Sequence, residues 1–220
     1  MKQKQFKHID KNLKTELLSE ENDTGRYYVT PEGKYPSVTT VTGWEKRKFF
    51  AEWRRNNPEE AKRTTNRGNK LHSLIEKYLN NEQLDKKEID PFTLDLFLQM
   101  KKDVDKIDNI HALEQPLYSK LLKLAGRVDC IAEFDGDLSI IDFKGSTKTK
   151  RKEDIENYFM QATAYSIMWK ERTGVPIKKL IILISSEEGG VQVFDANPID
   201  YVESLKNAIE KYERERNATV

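Results

Sequence analysis

Cysteine is almost missing from the 220 residues: Cys130 stands alone. That excludes an intrachain disulfide framework, and it excludes a zinc or iron–sulfur centre built from several thiolates of one chain. No apolar run approaches the roughly 20 residues needed to cross a bilayer. The opening MKQKQFKHID has neither the apolar stretch of a signal peptide nor, lacking arginine and containing Asp10, the character of a mitochondrial presequence. A soluble, cytoplasmic protein is the expectation. Net charge is equally scarce, since 38 Lys and Arg against 37 Asp and Glu leave +1. Any attraction for a polyanion must therefore come from where charges sit. Internal repeats and low-complexity linkers are also absent. What is present is 37% hydrophobic and 34% charged residues, a balance that folds but stays heavily solvated.

The texture changes near Pro116. Before it, Gly25 to Tyr35 reads as a hairpin around a Pro-Glu-Gly turn, and Ser37 as the cap of a following helix. Basic helices come next. Asn57-Pro58-Glu59-Glu60 is a helix start, with Asn57 as cap, for a helix reaching Tyr78 or Leu79 and interrupted by Gly68. Pro91 opens another, whose Phe92, Leu94, Leu96, Phe97 and Met100 can face a core. After Pro116 the period becomes two. His111–Tyr118, Leu124–Phe134 and Leu138–Phe143 read as strands, the last two joined at Asp135-Gly136-Asp137. Glu153 to Arg172 then reads as a helix stopped by Gly174, Lys179–Ser185 and Gly190–Phe194 as strands, and Pro198 to about Arg214 as a closing helix. The result is an α/β sandwich with a mixed central sheet flanked by helices. Residues 1–110 form an N-terminal hairpin and helical elaboration, and residues 111–220 the core, of one integrated domain.

The sharpest local signal is Asp142-Phe143-Lys144. Asp-x-Lys alone is weak, because Glu32-Gly33-Lys34 and Asp85-Lys86-Lys87 share the form. Only Asp142 and Lys144 end an apolar strand, where residues two apart leave the same face. The preceding strand carries Asp129. Pairing about Gly136 sets residue 130 opposite Asp142, and a one-residue bulge brings Asp129 there instead. Two adjacent carboxylates repel unless a cation lies between them. Oxygen ligands without thiolate favour Mg²⁺ or Mn²⁺. Such an ion polarises a phosphodiester and acidifies a water, with Lys144 positioned beside it.

Glu114, Gly126-Arg127-Val128-Asp129, Asp142-Phe143-Lys144 and Gln161-Ala-Thr-Ala-Tyr165 follow one another in the order of the motifs of the PD-(D/E)XK nucleases, and resemble their RecB-like branch. Upstream, Arg67-Gly68-Asn-Lys-Leu-His72 is similar to the RG-x-x-x-H motif of that branch, and Tyr35-Pro-Ser37-Val-Thr39-Thr40 resembles a segment of mitochondrial genome maintenance exonucleases and their phage relatives. The resemblance implies a metal-dependent DNA exonuclease of a bacterial or phage-infected cell. It makes His72, Asp129, Asp142 and the backbone carbonyl of Phe143 metal ligands, and Glu114 an outer or second-metal acid. Gln161 and Tyr165 would orient substrate or Lys144, and Ser37, Thr39 and Arg67 would contact DNA. Glu76, one turn from His72, competes for its role. This chain has Lys144-Gly145-Ser146 where the family commonly has Lys-Thr-Ser. A structure-specific endonuclease and a non-catalytic DNA-binding module are the alternatives; an iron–sulfur nuclease is excluded by the single cysteine.

Charge is not evenly spread. Lys46, Arg47, Lys48, Arg54, Arg55, Lys62, Arg63, Arg67 and Lys70 crowd the segment before His72, interleaved with Trp44, Phe49, Phe50 and Trp53. Cations alternating with rings suit single-stranded DNA, although the core is the expected place for these aromatics. Lys148, Lys150, Arg151 and Lys152 form a second basic run, either a solvated loop or one that reaches phosphates beside Lys144.

Overall fold

A computed structural model describes residues 4–9, 13, 16–22, 24–85 and 87–218; Lys86, in one of the three Asp-x-Lys-like triplets, lies outside them. Strands Leu18–Asn22 (β1), Gly25–Thr30 (β2) and Gly33–Pro36 (β3) form a small antiparallel sheet. The expected turn joins β2 to β3, closed by the Thr30 hydroxyl donating to the Gly33 carbonyl at 2.8 Å. β1 reads LSEEN and is exposed throughout, so no hydrophobic alternation announces it. Ser37 caps the short helix Val38–Thr42 (α1) by accepting from the Thr40 amide.

Helices Arg47–Asn56 (α2), Pro58–Leu79 (α3) and Pro91–Val104 (α4) follow. Pro58, Glu59 and Glu60 occupy the first turn of α3, where a missing amide costs nothing and acids meet the positive helix end. Asn57 makes no side-chain cap there. Its amide donates instead to the Trp53 carbonyl at 2.9 Å, finishing α2. Asp90 caps α4, accepting from the Phe92 amide and from the Thr93 hydroxyl.

The main sheet runs in the order Ile107–Ser119 (β4), Leu124–Phe134 (β5), Asp137–Ser146 (β6), Lys179–Ser186 (β7), Val191–Ala196 (β8). All neighbours are antiparallel except β6 and β7, whose parallel pairing requires the crossover helix Glu156–Thr173 (α5). Pro116 sits in the edge strand β4, where its missing amide is tolerated. A final helix, Val202–Asn217 (α6), packs on α5 and α1. The β5–β6 turn is tighter than the three-residue form expected. Phe134 pairs with Asp137, and Asp135 and Gly136 both have positive φ, 51° and 88°, the two-residue type I′ geometry that matches strand twist. Cys130 consequently faces Ile141. Continuing that register by one step sets Asp129 opposite Asp142 with no bulge, correcting the geometry expected from the sequence.

The sheet is buried on both faces. Ile140, Ile182 and Ile184 pack with Phe159, Met168 and Trp169 of α5. Ile141, Phe143 and Leu183 pack on the other side with Leu71 and Ile75 of α3 and with Leu96 and Met100 of α4. The N-terminal helices thus share a core with the C-terminal sheet. Phe92, expected to face that core, is 40% exposed. No helix among the described residues is long and apolar enough to cross a membrane.

Candidate active site

Strand period two explains the placement of the acids. Ile140 faces α5 whereas Ile141 and Phe143 face α3 and α4, so Asp142 and Lys144 share the face of Ile140. The Lys144 ammonium lies 2.6 Å from Asp142 Oδ2. The Gln161 amide on α5 donates to Asp142 Oδ1 at 3.0 Å. Asp129, on β5, accepts the Phe143 backbone N–H at 3.0 Å. Both carboxylates are buried.

His72 reaches the same place from α3. Its Nδ1 lies 3.6 Å from Asp129 and 3.7 Å from Glu114, and the ligand atoms of these three residues fall within 4.8 Å of one another. Glu114 thus stands with His72 and Asp129, while Asp142 is bound by Lys144 and Gln161. The β4–β5 register, with Leu113 opposite Cys130 and Gln115 opposite Val128, sets Glu114 across from Asp129, and Glu114 itself has φ 47°, a left-handed conformation costly to a residue with a side chain.

The electrostatics are those of a site short of cations. Burial pushes the Asp142 carboxyl up to about 6, with Lys144 pulling it down and Asp129 adding to the rise. Burial opposes the charge on Lys144, but Asp142 and Asp129 outweigh it and raise its pKa. For His72 burial likewise opposes the imidazolium, and Asp129 with the Glu114 hydrogen bond prevails, so its pKa too is raised. Glu76 is raised by burial and by Glu114. An imidazole and clustered carboxylates, with no thiolate, are the donor set of a divalent cation.

A cavity of about 680 Å³ opens over these groups. Ser37 and Thr39 line it, as do Gln161 and Tyr165. Tyr165 packs so closely on Gly126 that a Cβ there would sit 2.6 Å from its hydroxyl. Arg67, Lys148, Lys150 and Arg151 are not part of the lining. Arg67 is buried, pairing with Glu187 and approaching the Gly145 carbonyl at 3.5 Å. Arg151 pairs with Asp154 at 3.0 Å, and the Lys150 backbone is tied to Gln192. At Gly145, where the family commonly has Thr, an added Cβ would lie 3.3 Å from a Leu71 methyl, a tight contact that a small shift of that side chain would relieve. Tyr158 is a member of the site that the motifs do not name. Its ring lies 5.1 Å from the Lys144 ammonium, and its spacing from Gln161 and Tyr165 places all three on one helix face.

The basic segment divides. Arg47 stacks on Trp44 and pairs with Glu215, Arg63 pairs with Glu60 and Glu187, and Lys70 pairs with Asp90. Lys46, Lys48, Arg54, Arg55 and Lys62 have no ion pair among the described residues. The expectation that the aromatics are core holds for Trp44 alone. Phe49 and Phe50 are 65% and 44% exposed and α2 buries no residue, its main packing being against α3 and the Trp44 turn.

A family model for the PD-(D/E)XK nuclease superfamily matches residues 51–218. No curated protein matches. Among solved structures, a candidate exonuclease from Eubacterium rectale is similar over 71% of this chain and 68% of its own, with 14% identity and a TM-score of 0.48. With its mixed five-stranded sheet flanked by helices and the family match covering most of its length, the chain belongs to the PD-(D/E)XK nuclease superfamily.

Proposed function

We propose that this protein is a Mg²⁺- or Mn²⁺-dependent exonuclease acting on single-stranded DNA with a free end. The observation that carries the reading is the gathering of His72, Glu114 and Asp129 within 4.8 Å in one open cavity that Lys144 also lines, with the buried Asp142 carboxylate paired to Lys144. When bound, a divalent cation polarises a phosphodiester and lowers the pKa of an attacking water. His72, Glu114 and Asp129 would hold it, with Asp142 and the Phe143 carbonyl completing the set that the family pattern implies. Lys144 offers a positive charge and hydrogen bonds to a water or a phosphoryl oxygen as charge develops. Gln161 holds Asp142 in orientation, and Thr39 offers a hydroxyl to the substrate, its position fixed by Ser37, whose own hydroxyl caps α1.

The preference for a single strand is supported by α2. Phe49 and Phe50 offer ring faces to unstacked bases, and Lys46, Lys48, Arg54 and Arg55 offer cations to phosphates. Lys148 and Lys150 extend the basic surface beyond Lys144. The test compares a linear single strand with its covalently closed circle, each with Mg²⁺, Mn²⁺ or EDTA. Cleavage of the linear form alone, abolished by EDTA, is expected. Equal rates on both forms would make the protein an endonuclease, and no cleavage with either metal would leave a DNA-binding module.

A further inference from the structure

The cavity-facing stripe of α3 is a ridge of residues four apart: Thr64, Gly68, His72 and Glu76 all line the cavity. Three of these carry side chains into the cavity. Gly68 carries none, and a Cβ built on it meets no atom within 4 Å. No neighbour in the protein therefore demands glycine there. Helix geometry does not demand it either, since Gly68 lies in the interior of a 22-residue helix, where glycine is less stable than alanine. The position is half-buried nonetheless, because what surrounds it is the cavity. The ridge has a notch one side chain deep, four residues before His72, which is about 6 Å along the axis. That distance is close to the length of one nucleotide of an extended strand. Across the cavity stand Tyr158, Gln161 and Tyr165 of α5.

We infer that the notch at Gly68 seats the nucleoside adjoining the phosphate held at the metal cluster, so that the DNA strand crosses α3 between Thr64 and His72 with a sugar edge or base face against bare helix backbone. Glycine is the residue used where a ligand approaches a backbone closely. The interior amides and carbonyls of α3 are spent on the helix, so the contact is one of shape and gives no sequence preference. Gly68 is a substrate-seating residue of the activity proposed above, on which this inference rests.

Filling the notch should improve the fold and harm the enzyme. Gly68→Ala should melt roughly 2–4 °C higher than the wild type, and Gly68→Leu should remain folded. On a fluorescein-labelled oligothymidylate, KM should rise about threefold or more for Gly68→Ala and at least about tenfold for Gly68→Leu, a range spanned by filling a shaped pocket. Anisotropy of the same oligonucleotide with Ca²⁺ should weaken in parallel. Mn²⁺ affinity by calorimetry should stay within about twofold, since the ligand set is untouched. Unchanged KM and anisotropy in both variants, with an active wild type, would overturn the role of Gly68 alone. Should the leucine variant fail to fold, unchanged values in the alanine variant would do the same. A wild type that neither binds nor cuts the oligonucleotide would overturn the nuclease reading beneath it.

Discussion

Helix α5 holds Tyr158, Phe159, Tyr165 and Trp169 within 18 residues, and helix α2 holds Phe49, Phe50 and Trp53 within 10. On α5, nine residues are buried. α2 buries none. α5 crosses from β6 to β7 and must cover the sheet between them, so all its rings but Tyr158 are core. α2 only links the Trp44 turn to α3, and its stripe of rings has no sheet to cover. Aromatic content reports an appetite for contact, and topology decides whether the protein or a ligand satisfies it. The two helices thereby end differently, α5 anchored by Gln161 on Asp142 and α2 left with its rings exposed.

The largest expected effect is at the carboxylates behind the anchored wall. Asp129→Ala or Asp142→Ala should lower kcat by roughly 10²–10³ or more, the scale of losing a group that stabilises developing charge, and should weaken Mn²⁺ binding while the protein stays folded. Phe49→Ala with Phe50→Ala should leave kcat unchanged and act on KM. Single-turnover and steady-state assays separate the two. Near wild-type kcat in either aspartate variant would remove it from the chemistry.

Stability offers the next comparison. Phe159 is fully buried in the α5 core, and Phe159→Ala should cost about 3–5 kcal/mol. Phe49→Ala and Phe50→Ala should each cost no more than about 0.5 kcal/mol, as exposed substitutions do, yet each should weaken single-stranded DNA binding by about 1–3 kcal/mol if its ring stacks on a base. Thermal melts and anisotropy check both. A large drop in melting temperature for Phe49→Ala would mean that α2 is packed in solution, and the contrast between the helices would fail.

What could be read from the sequence follows how local each cause is. The β5–β6 hairpin was legible because Asp-Gly turn chemistry and period-two alternation are written within a few residues, and with them came Asp129, Asp142 and Lys144. Even there the two-residue turn shifted the expected register by one. His72 and Glu114 were reached through the family's motifs. The left-handed backbone at Glu114 has no local signature, since Leu-Glu-Gln resembles any strand. Arg67 looked like a DNA contact because nothing nearby reveals Glu187, 120 residues away, as its partner. Tyr158 could have been found, standing three and seven residues before Gln161 and Tyr165. For α2, amphipathicity was visible but its lack of a partner was not, because that depends on where the rest of the chain goes.

The last effect concerns the electrostatic cost of the anchored wall before metal binds. Burial raises Asp142 to about 6, against about 3.9 for an unperturbed aspartate. A raised carboxyl binds its proton more tightly in the folded state, so between those two values the unfolded chain has lost a proton that the folded protein keeps. Folded stability therefore falls as pH rises from about 4 to 6, and the whole deficit is present above 6. Asp142→Asn cannot titrate and removes that dependence, while its amide oxygen still accepts from Lys144. In EDTA, the stability of Asp142→Asn relative to the wild type should thus grow by about 2–3 kcal/mol between pH 4 and 7, at roughly 1.4 kcal/mol for each pH unit separating the folded and unfolded values. Parallel urea titrations across this range measure the gap. Saturating Mn²⁺ should close it from the other side, because a cation near Asp142 stabilises the ionised wild type and leaves the variant behind. The same titrations on the Phe49→Ala, Phe50→Ala protein should run parallel to wild type at every pH, since α2 places no ring against these acids. A constant gap for Asp142→Asn from pH 4 to 7 would show that Lys144 already neutralises Asp142, leaving no unmet charge at that carboxylate for a cation to satisfy.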